Sequence, residues 1–476
     1  MSLTALPLSR TGTFFARATA LLFAFAAAAI VGLEVVSLAL DPGFAALLLF
    51  VIYQGYWIFE AIILFLLSSL QIVSLPRHDR LRGNGSAEPA GGVSVCIPAY
   101  NEARSLVPTL RSILAQDRAP DEIIVVNDGS SDETLTTLKE AFSLEAGDEG
   151  YWLSATTPGL RVIDAAHGGK AAALNRGLEA ARGSIFVTVD ADTSFEAHSF
   201  ARLLEPFDKD PQLAMVAGVM VPTESHASEG SGDRPSLPRG VIAFFQTIEY
   251  TLDFVRRIGW QYSNSAHVMS GAFSSFRTHW LRQAGGFLDD TVTEDYEVVH
   301  RLRDEAARRG VVRRFVTAPD AIAHTVVPKT TRGLLRQRIR WFQGFVQTHI
   351  KYRRMIGRSR FGWFGALAMP VKTVDAIAPA LFIFVYVCLA IDLMAVDQAL
   401  AMEIVVISLA LRIGSETAIS ALSLLIRQQR ITPYYSRIQT AAMIAVLPVY
   451  LLWRRALWVW IGIAAYRRVA LGLRHW

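Results

Sequence analysis

The apolar segments at the two ends of this chain leave it little choice of architecture. Ala18–Leu40 holds one charge, Glu34, and Phe44–Leu70 holds one, Glu60. Each exceeds the roughly 20 residues that cross a bilayer as a helix. A cleaved signal peptide is the alternative for the first, but it is long and a second span follows almost at once. Asp375–Val396 and Met402–Ile426 read as further spans; the second carries Arg412 and Glu416, one helical turn apart and able to pair within the helix. Ile438–Tyr466 is interrupted by Pro448 and Arg454–Arg455, and reads as a span with a surface helix. With 52% hydrophobic and only 19% charged residues in 476, the composition agrees with a membrane protein. The net charge of +5 suits loops facing anionic lipid better than a nucleic-acid partner. Cys96 and Cys388 lie far apart in apolar runs, which excludes a disulfide scaffold or a cysteine-rich zinc site and fits a reduced compartment.

Between the second and third spans lies a long polar region, Gly91 to Thr330. Arg77, Arg80 and Arg82 precede it; Arg332, Arg336, Arg338, Arg340, Lys351, Arg353 and Arg354 follow it. The positive-inside rule makes it cytoplasmic. Arg10 and Arg17 put the N-terminus on the same side, and so do Arg467, Arg468 and Arg474 for the C-terminus, at odds with an odd number of spans. The polar region alternates apolar strands (GVSVCIP, EIIVVND, LRVID, SIFVTVDAD) with amphipathic helices (ARSLVPTLRSILAQ, DETLTTLKEAF, KAAALNRGLEAARG). That order predicts a doubly wound, mostly parallel α/β sheet, whose ligands bind at the carboxyl ends of the strands. Polar clusters stand at those ends: PAYNE, NDGS and DAD. Thr223–Arg239 reads as a loop.

Each cluster allows a chemical and a plain reading. In DAD, Asp190 and Asp192 are two apart on a strand, face the same way, and can hold a divalent cation with phosphate oxygens; they can equally cap a turn. In NDGSSDET, Asp128 can accept from a base or ribose, whereas Ser130, Ser131 and Asp132 are helix-capping residues. Glu102 ends PAYNE. HGGK turns into a helix at Lys170, which can reach a phosphate with help from the turn amides; it is not a P-loop. A carboxylate of TED, Thr293–Asp295, can act as a general base, or the threonine can cap a helix. SGAF, from Ser270 through Gly271, is small enough for close approach of a ligand, or is an ordinary strand and turn.

LLRQRIRWFQGF, Leu334–Phe345, is helical in pattern. At about 100° per residue, Gln337, Arg340, Trp341 and Gly344 share one face; Leu335, Ile339, Phe342, Val346 and Ile350 share the opposite one. The apolar stripe suits a membrane interface. A plain surface helix has no reason to turn a tryptophan away from its apolar side.

Taken in order, PAYNE, NDGSSDE, HGGK, DAD, SGAF, TED and QRIRW resemble the membrane-embedded family 2 glycosyltransferases, the synthases of cellulose, hyaluronan, chitin oligosaccharides and poly-N-acetylglucosamine. The poly-N-acetylglucosamine synthases are the most similar in size and span layout. The resemblance covers roughly Val93 to Gln347. It implies a GT-A-type domain (91–330) between two N-terminal spans (1–75) and a C-terminal membrane region (365–476) of two to three spans, with an interface helix (331–357) carrying QRIRW. It implies an inverting, processive β-glycosyltransferase in the bacterial inner membrane, using UDP-glucose or UDP-N-acetylglucosamine; the alternative is a transferase placing single sugars on a lipid. It gives Asp128 and Glu102 to the nucleotide, and Lys170, Gln337 and Arg340 to the diphosphate. Asp190 and Asp192 receive Mg²⁺ or Mn²⁺, and Asp295 is the general base, supported by Glu294. Trp341 and Gly271 stand at the acceptor, and the growing chain passes through the spans. Little follows the last apolar stretch, unlike a cellulose synthase with its regulatory tail. The spans are few for a complete channel, so an accessory subunit or homo-oligomer is expected.

Overall fold

A computed structural model describes residues 42–74, 92–224, 237–392, 398–430 and 435–473. The span expected at Ala18–Leu40, the arginines at 77, 80 and 82, and most of the Thr223–Arg239 segment lie outside those residues. The chain divides into two compact units. Of the described residues, one unit holds those in 42–74, 258–265 and 335–473, and the other those in 92–257 and 266–334.

The second unit is built on a ten-stranded sheet. Its centre consists of β1 (Val93–Ala99), β2 (Glu122–Asp128), β5 (Leu160–Ala165) and β6 (Ile185–Val189). These run parallel in the order β5-β2-β1-β6. Every residue of β2 and β6 is buried, as strands covered on both faces require. Alternate side chains serve opposite layers. Val93, Val95 and Ile97 pack with Ile123 and Val125 beneath α2 (Leu106–Leu114), α3 (Thr134–Phe142) and α5 (Ser199–Lys209). Cys96, Ile124, Val126 and Phe186 face α4 (Lys170–Ala180), α7 (Thr278–Gln283) and α8 (Glu294–Arg308).

Beyond β6 the sheet becomes mixed. β9 (Phe273–Arg277) runs antiparallel between β6 and β8 (Leu213–Thr223), and β8 pairs in parallel with β10 (Arg314–Val326). β7 (Thr193–Phe195) closes that edge antiparallel to β10; β3 (Leu144–Ala146) and β4 (Tyr151–Ser154) close the other. The parallel pairing expected of a mostly parallel sheet lies in its centre and in β8–β10. β9 also carries the SGAF segment alongside the end of β6, so the antiparallel half of the sheet supplies part of the polar cleft.

The other unit contains α1 (Pro42–Ser74), the end of α6 (Val241–Tyr262) from residue 258, α9 (Thr331–Lys351, from residue 335), α10 (Met369–Asp392), α11 (Gln398–Arg430) and α12 (Arg437–Ala470). Among the described residues, four stretches are long and apolar enough to cross a membrane: Ala46–Ile72, Phe364–Ile391, Gln398–Gln428 and Arg437–Ala470. The last is one continuous helix despite Pro448 and the arginine pair, because the charges have partners. Arg412 Nε lies 3.1 Å from Glu416, the expected pair, and Arg455 closes on the same carboxylate at 2.6 Å. Arg412 also donates to Gln54 Oε1 at 2.5 Å, and Gln54 donates to Tyr386 Oη at 3.2 Å. One polar chain thus joins α1, α10, α11 and α12, the form in which charge is tolerated within a membrane.

α9 is held by its neighbours in this unit. Gln343, fully buried, donates to the Leu473 carbonyl and accepts from Arg468 Nε at 2.9 Å. Phe342, from the stripe assigned to lipid, packs on Trp458 and Tyr466 of α12 at ring separations of 6.5 and 5.8 Å.

In the α/β unit, α4 lies so close to β1 that a Cβ on Gly177 would stand 2.2 Å from Cys96 Sγ. Burial also pushes the Cys96 thiol well up, so it behaves as a core atom. Gly177→Ala is expected to destabilise the full-length protein by about 1–3 kcal/mol. Adding Cys96→Ala should return most of the loss, as read by thermal unfolding in detergent; a double variant no more stable than Gly177→Ala alone would contradict this packing.

Candidate active site

The polar clusters at the strand ends are tied to one another before any ligand is considered. After β1, Asn101 adopts a left-handed conformation (φ 59°). Its Oδ1 accepts from the backbone N–H of Ser131 at 2.8 Å and its own N–H donates to Ser130 Oγ at 2.9 Å. The Glu102 N–H donates to Thr134 Oγ1 at 2.8 Å. The two serines read as caps for the next helix therefore fasten PAYNE to NDGS. Asp132 accepts from the Thr134 N–H at 3.0 Å, one residue ahead of the Glu133 N-cap position of that helix.

Asp128, at the end of β2, is almost fully buried and committed to the HGGK turn. The Gly168 and Gly169 N–H groups donate to its two carboxylate oxygens at 2.8 Å each, and His167 Nδ1 lies 2.9 Å from Oδ2. The turn amides expected to face a phosphate are thus engaged by Asp128. Gly129 keeps this approach open: at φ +69° its Cβ would meet the His167 backbone nitrogen at 2.7 Å. Tyr100 covers the His167 ring at 4.4 Å.

The turn delivers Lys170, the first residue of α4, into the middle of the site. Its Nζ lies 2.7 Å from Asp190 Oδ1 and 3.2 Å from Glu294 Oε1. One ammonium thereby joins HGGK, DAD and TED. Burial works against its charge, but Asp190, Glu294 and Asp295 outweigh it and the Lys170 pKa is raised. Asp192 responds in the opposite sense. Burial first, then the charges of Asp190 and Glu102, push its carboxyl up to about 7, only partly offset by Lys170. Glu102 itself accepts from Ser105 Oγ.

Antiparallel pairing of β6 with β9 brings SGAF against DAD. The Asp190 N–H donates to the Ala272 carbonyl at 3.3 Å, and Thr188 Oγ1 donates to the Gly271 carbonyl at 3.1 Å. Across the cleft, Asp295 Oδ2 accepts from the Gly271 N–H at 3.1 Å, and Oδ1 accepts from the Tyr296 N–H at 2.8 Å. Thr293 precedes α8 without a side-chain capping bond, so the capping reading of TED is not realised. Asp295 is thus held by two amides and is half-buried.

Glu102, Lys170, Asp190, Asp192, Gly271, Glu294 and Asp295 thus gather in the α/β unit, with Asp128 behind them. Among the described residues no group of three or more His, Cys, Asp or Glu side chains converges as a metal site. Asp190 and Asp192 could hold a divalent cation if a ligand's phosphate oxygens completed its shell. Gln337, Arg340 and Trp341 sit on α9 in the other unit. There the structure adds Arg338, which is buried, donates to Gln337 Oε1 at 2.8 Å and lies over the Trp341 ring at 4.1 Å. Its i, i+3 spacing to Trp341 was the available signal.

Residues 94–283 match the profile described as glycosyl transferase family 2. A poly-beta-1,6-N-acetyl-D-glucosamine synthase of Staphylococcus epidermidis is 28% identical over 306 residues, 63% of this chain and 65% of the relative. One of Staphylococcus aureus is 29% identical over 255 residues, 53% of this chain and 54% of the relative. The matches thus span about 54–65% of the length of these relatives. Among solved structures, the mannosyltransferase PcManGT from Pyrobaculum calidifontis, in complex with GDP-Man and Mn²⁺, shares the fold. Its TM-score is 0.52 at 22% identity, over 85% of this chain and 98% of that one.

A Cβ on Gly271 would fall 2.8 Å from both Cβ and Oδ2 of Asp295. Gly271→Ala should therefore displace the carboxylate and cut turnover by about 10–100-fold, while nucleotide binding and the thermal midpoint stay near wild type. Wild-type turnover would show that the Asp295 position is not critical.

Proposed function

Starting from a chain that carries a family 2 glycosyltransferase domain and long apolar helices, we propose that it polymerises a UDP-activated sugar into a β-linked exopolysaccharide and passes the product across the membrane. The observation that carries the reading is the convergence of DAD, HGGK and TED on Lys170. UDP-N-acetylglucosamine is favoured over UDP-glucose by the names of the relatives. The basic residues around the α/β domain favour a cytoplasmic position, where nucleotide sugars are made. Lipid surrounds the helices, and an accessory subunit or a second copy completes the path for the polymer.

Each residue of the site has a part in this reaction. Asp190 and Asp192 would hold Mn²⁺ or Mg²⁺, which would supply charge stabilisation to the leaving diphosphate. Lys170 sits where the diphosphate approaches and exchanges its contact with Asp190 for the phosphate oxygens. Glu102 and Asp128 shape the nucleotide pocket, Asp128 by holding the HGGK turn. Asp295, aimed by Gly271, takes the proton of the acceptor hydroxyl as that oxygen attacks the anomeric carbon. The bond to the diphosphate breaks on the opposite face, so configuration inverts. Glu294 keeps Lys170 in place. Gln337 and Arg340 bind the diphosphate region, and Trp341 gives the terminal acceptor sugar a flat apolar platform on which the chain can slide by one unit.

UDP release by the full-length enzyme, measured across a panel of UDP-sugars, with linkage-specific digestion of the product, tests the reading. A long polymer from one donor is expected; a single-sugar glycolipid would overturn processivity. Asp295→Asn is expected to abolish transfer with UDP affinity preserved, and equal loss of UDP binding would contradict the base role.

The Asp192 shift sets a pH dependence. With its carboxyl raised to about 7, the folded protein retains a proton that an unfolded chain loses at lower pH. Without a cation, this group makes folding less favourable as pH rises through that window. A divalent cation needs the deprotonated form, so the proton competes with it. Mn²⁺ affinity in the presence of UDP, followed by calorimetry, should fall by about tenfold from about pH 8 to about pH 6. A flat profile would contradict the assignment of Asp192 as a ligand.

A further inference from the structure

Arg338 touches both of its functional neighbours on α9. Its guanidinium lies 4.1 Å from the Trp341 ring centroid, and it donates to Gln337 Oε1 at 2.8 Å. It is 8% exposed, whereas Trp341 retains 37%. Arg336, on a neighbouring face of the helix, is exposed. A lipid-facing anchor would look like Arg336; a buried guanidinium stacked on an indole does not.

The chemistry of the groups constrains both neighbours. A guanidinium has only donors, so the Gln337 atom turned toward it is the carbonyl oxygen. The Nε2 donors of Gln337 therefore point elsewhere, and they have no protein partner among the described residues. What Gln337 can offer a ligand is a pair of N–H groups, which select an acceptor-rich partner such as the oxygens of a diphosphate. On the other side, a planar cation over the ring holds the indole in one plane, which a lysine ammonium cannot do.

We propose that Arg338 is a positioning residue for the transfer reaction: it sets the plane of the Trp341 platform and turns Gln337 so that its N–H donors stay open to an acceptor-rich ligand such as a diphosphate. The inference rests on the function proposed above. It predicts that the two duties separate by substitution. Arg338→Lys keeps a donor for Gln337 and loses the planar stack. Gln337→Glu keeps an acceptor for Arg338 and loses the two donors.

The test uses the full-length enzyme in detergent, with UDP-N-acetylglucosamine as donor and short β-linked N-acetylglucosamine oligosaccharides as acceptor; UDP affinity is measured by calorimetry. Trp341→Ala serves as the reference. Arg338→Lys is expected to raise the acceptor KM by about tenfold and shorten the product, with UDP affinity within about twofold of wild type. Gln337→Glu is expected to weaken UDP by about tenfold with the acceptor KM little changed. Arg338→Met should show the acceptor defect at least as strongly. Should Trp341→Ala raise the acceptor KM while both Arg338 variants keep the wild-type value, the positioning role is overturned and the proposed function stands. Should Trp341→Ala itself leave the acceptor KM and product length unchanged, the acceptor platform falls and this inference with it. A parallel loss of UDP affinity, acceptor affinity and thermal midpoint in Arg338→Lys and Arg338→Met would assign Arg338 a structural role and overturn the proposal.

Discussion

The contact of Lys170 with Asp190 and Glu294 is the point at which this site is held together. Five carboxylates act on one another or on this single ammonium: Glu102, Asp190, Asp192, Glu294 and Asp295. Such an excess of negative charge in a half-buried cleft is unfavourable by itself. The raised Asp192 carboxyl reflects its burial first and then this charge. Proteins keep arrangements of this kind where they are used. In the proposed reaction a cation would offset this charge, and Lys170 would exchange its contact with Asp190 for phosphate.

The centre of the sheet was legible because its signals are local. EIIVVND coincides with β2, and LRVID and GVSVCIP fall within a residue of β5 and β1. Uninterrupted apolar runs ending in polar clusters are what a parallel strand buried on both faces must look like. The antiparallel half was less legible. β9 pairs Phe273 with Val189 and Arg277 with Ile185, and nothing in either segment names the other as partner. Yet that pairing puts Gly271 against Asp295. The role of Gly271 shows the limit clearly: its smallness was readable, but the atom it makes room for belongs to a helix 24 residues further on.

Asp128 illustrates a different gap. An aspartate at a strand end is equally suited to a ligand or to a backbone turn, and residue type does not decide between them. Here two glycine amides take both of its oxygens. What Asp128 does visibly is fix the shape of the HGGK turn that leads into Lys170. Within the membrane helices, the Arg412–Glu416 pair was readable from i, i+4 spacing, whereas Gln54, Tyr386 and Arg455 joined it from three other helices. Uncompensated charge in an apolar helix demands a partner; sequence states the demand and only packing names who meets it.

Both limits meet in α9. Its helical wheel separates a chemical face from an apolar stripe, and that separation survives in part. Phe342 of the stripe packs against aromatic rings of α12, and Gln343, polar in sequence, is fully buried and bonded at both ends of its amide. A helix free to float in a headgroup layer would not need such a residue. The proposed acceptor platform would need one, because a ring that receives successive sugar units in one orientation has to be fixed at its base as well as at its face. Gln343 fixes the backbone from behind and Arg338 fixes the indole from beside it. Together they turn an amphipathic pattern into a rigid mount for Trp341.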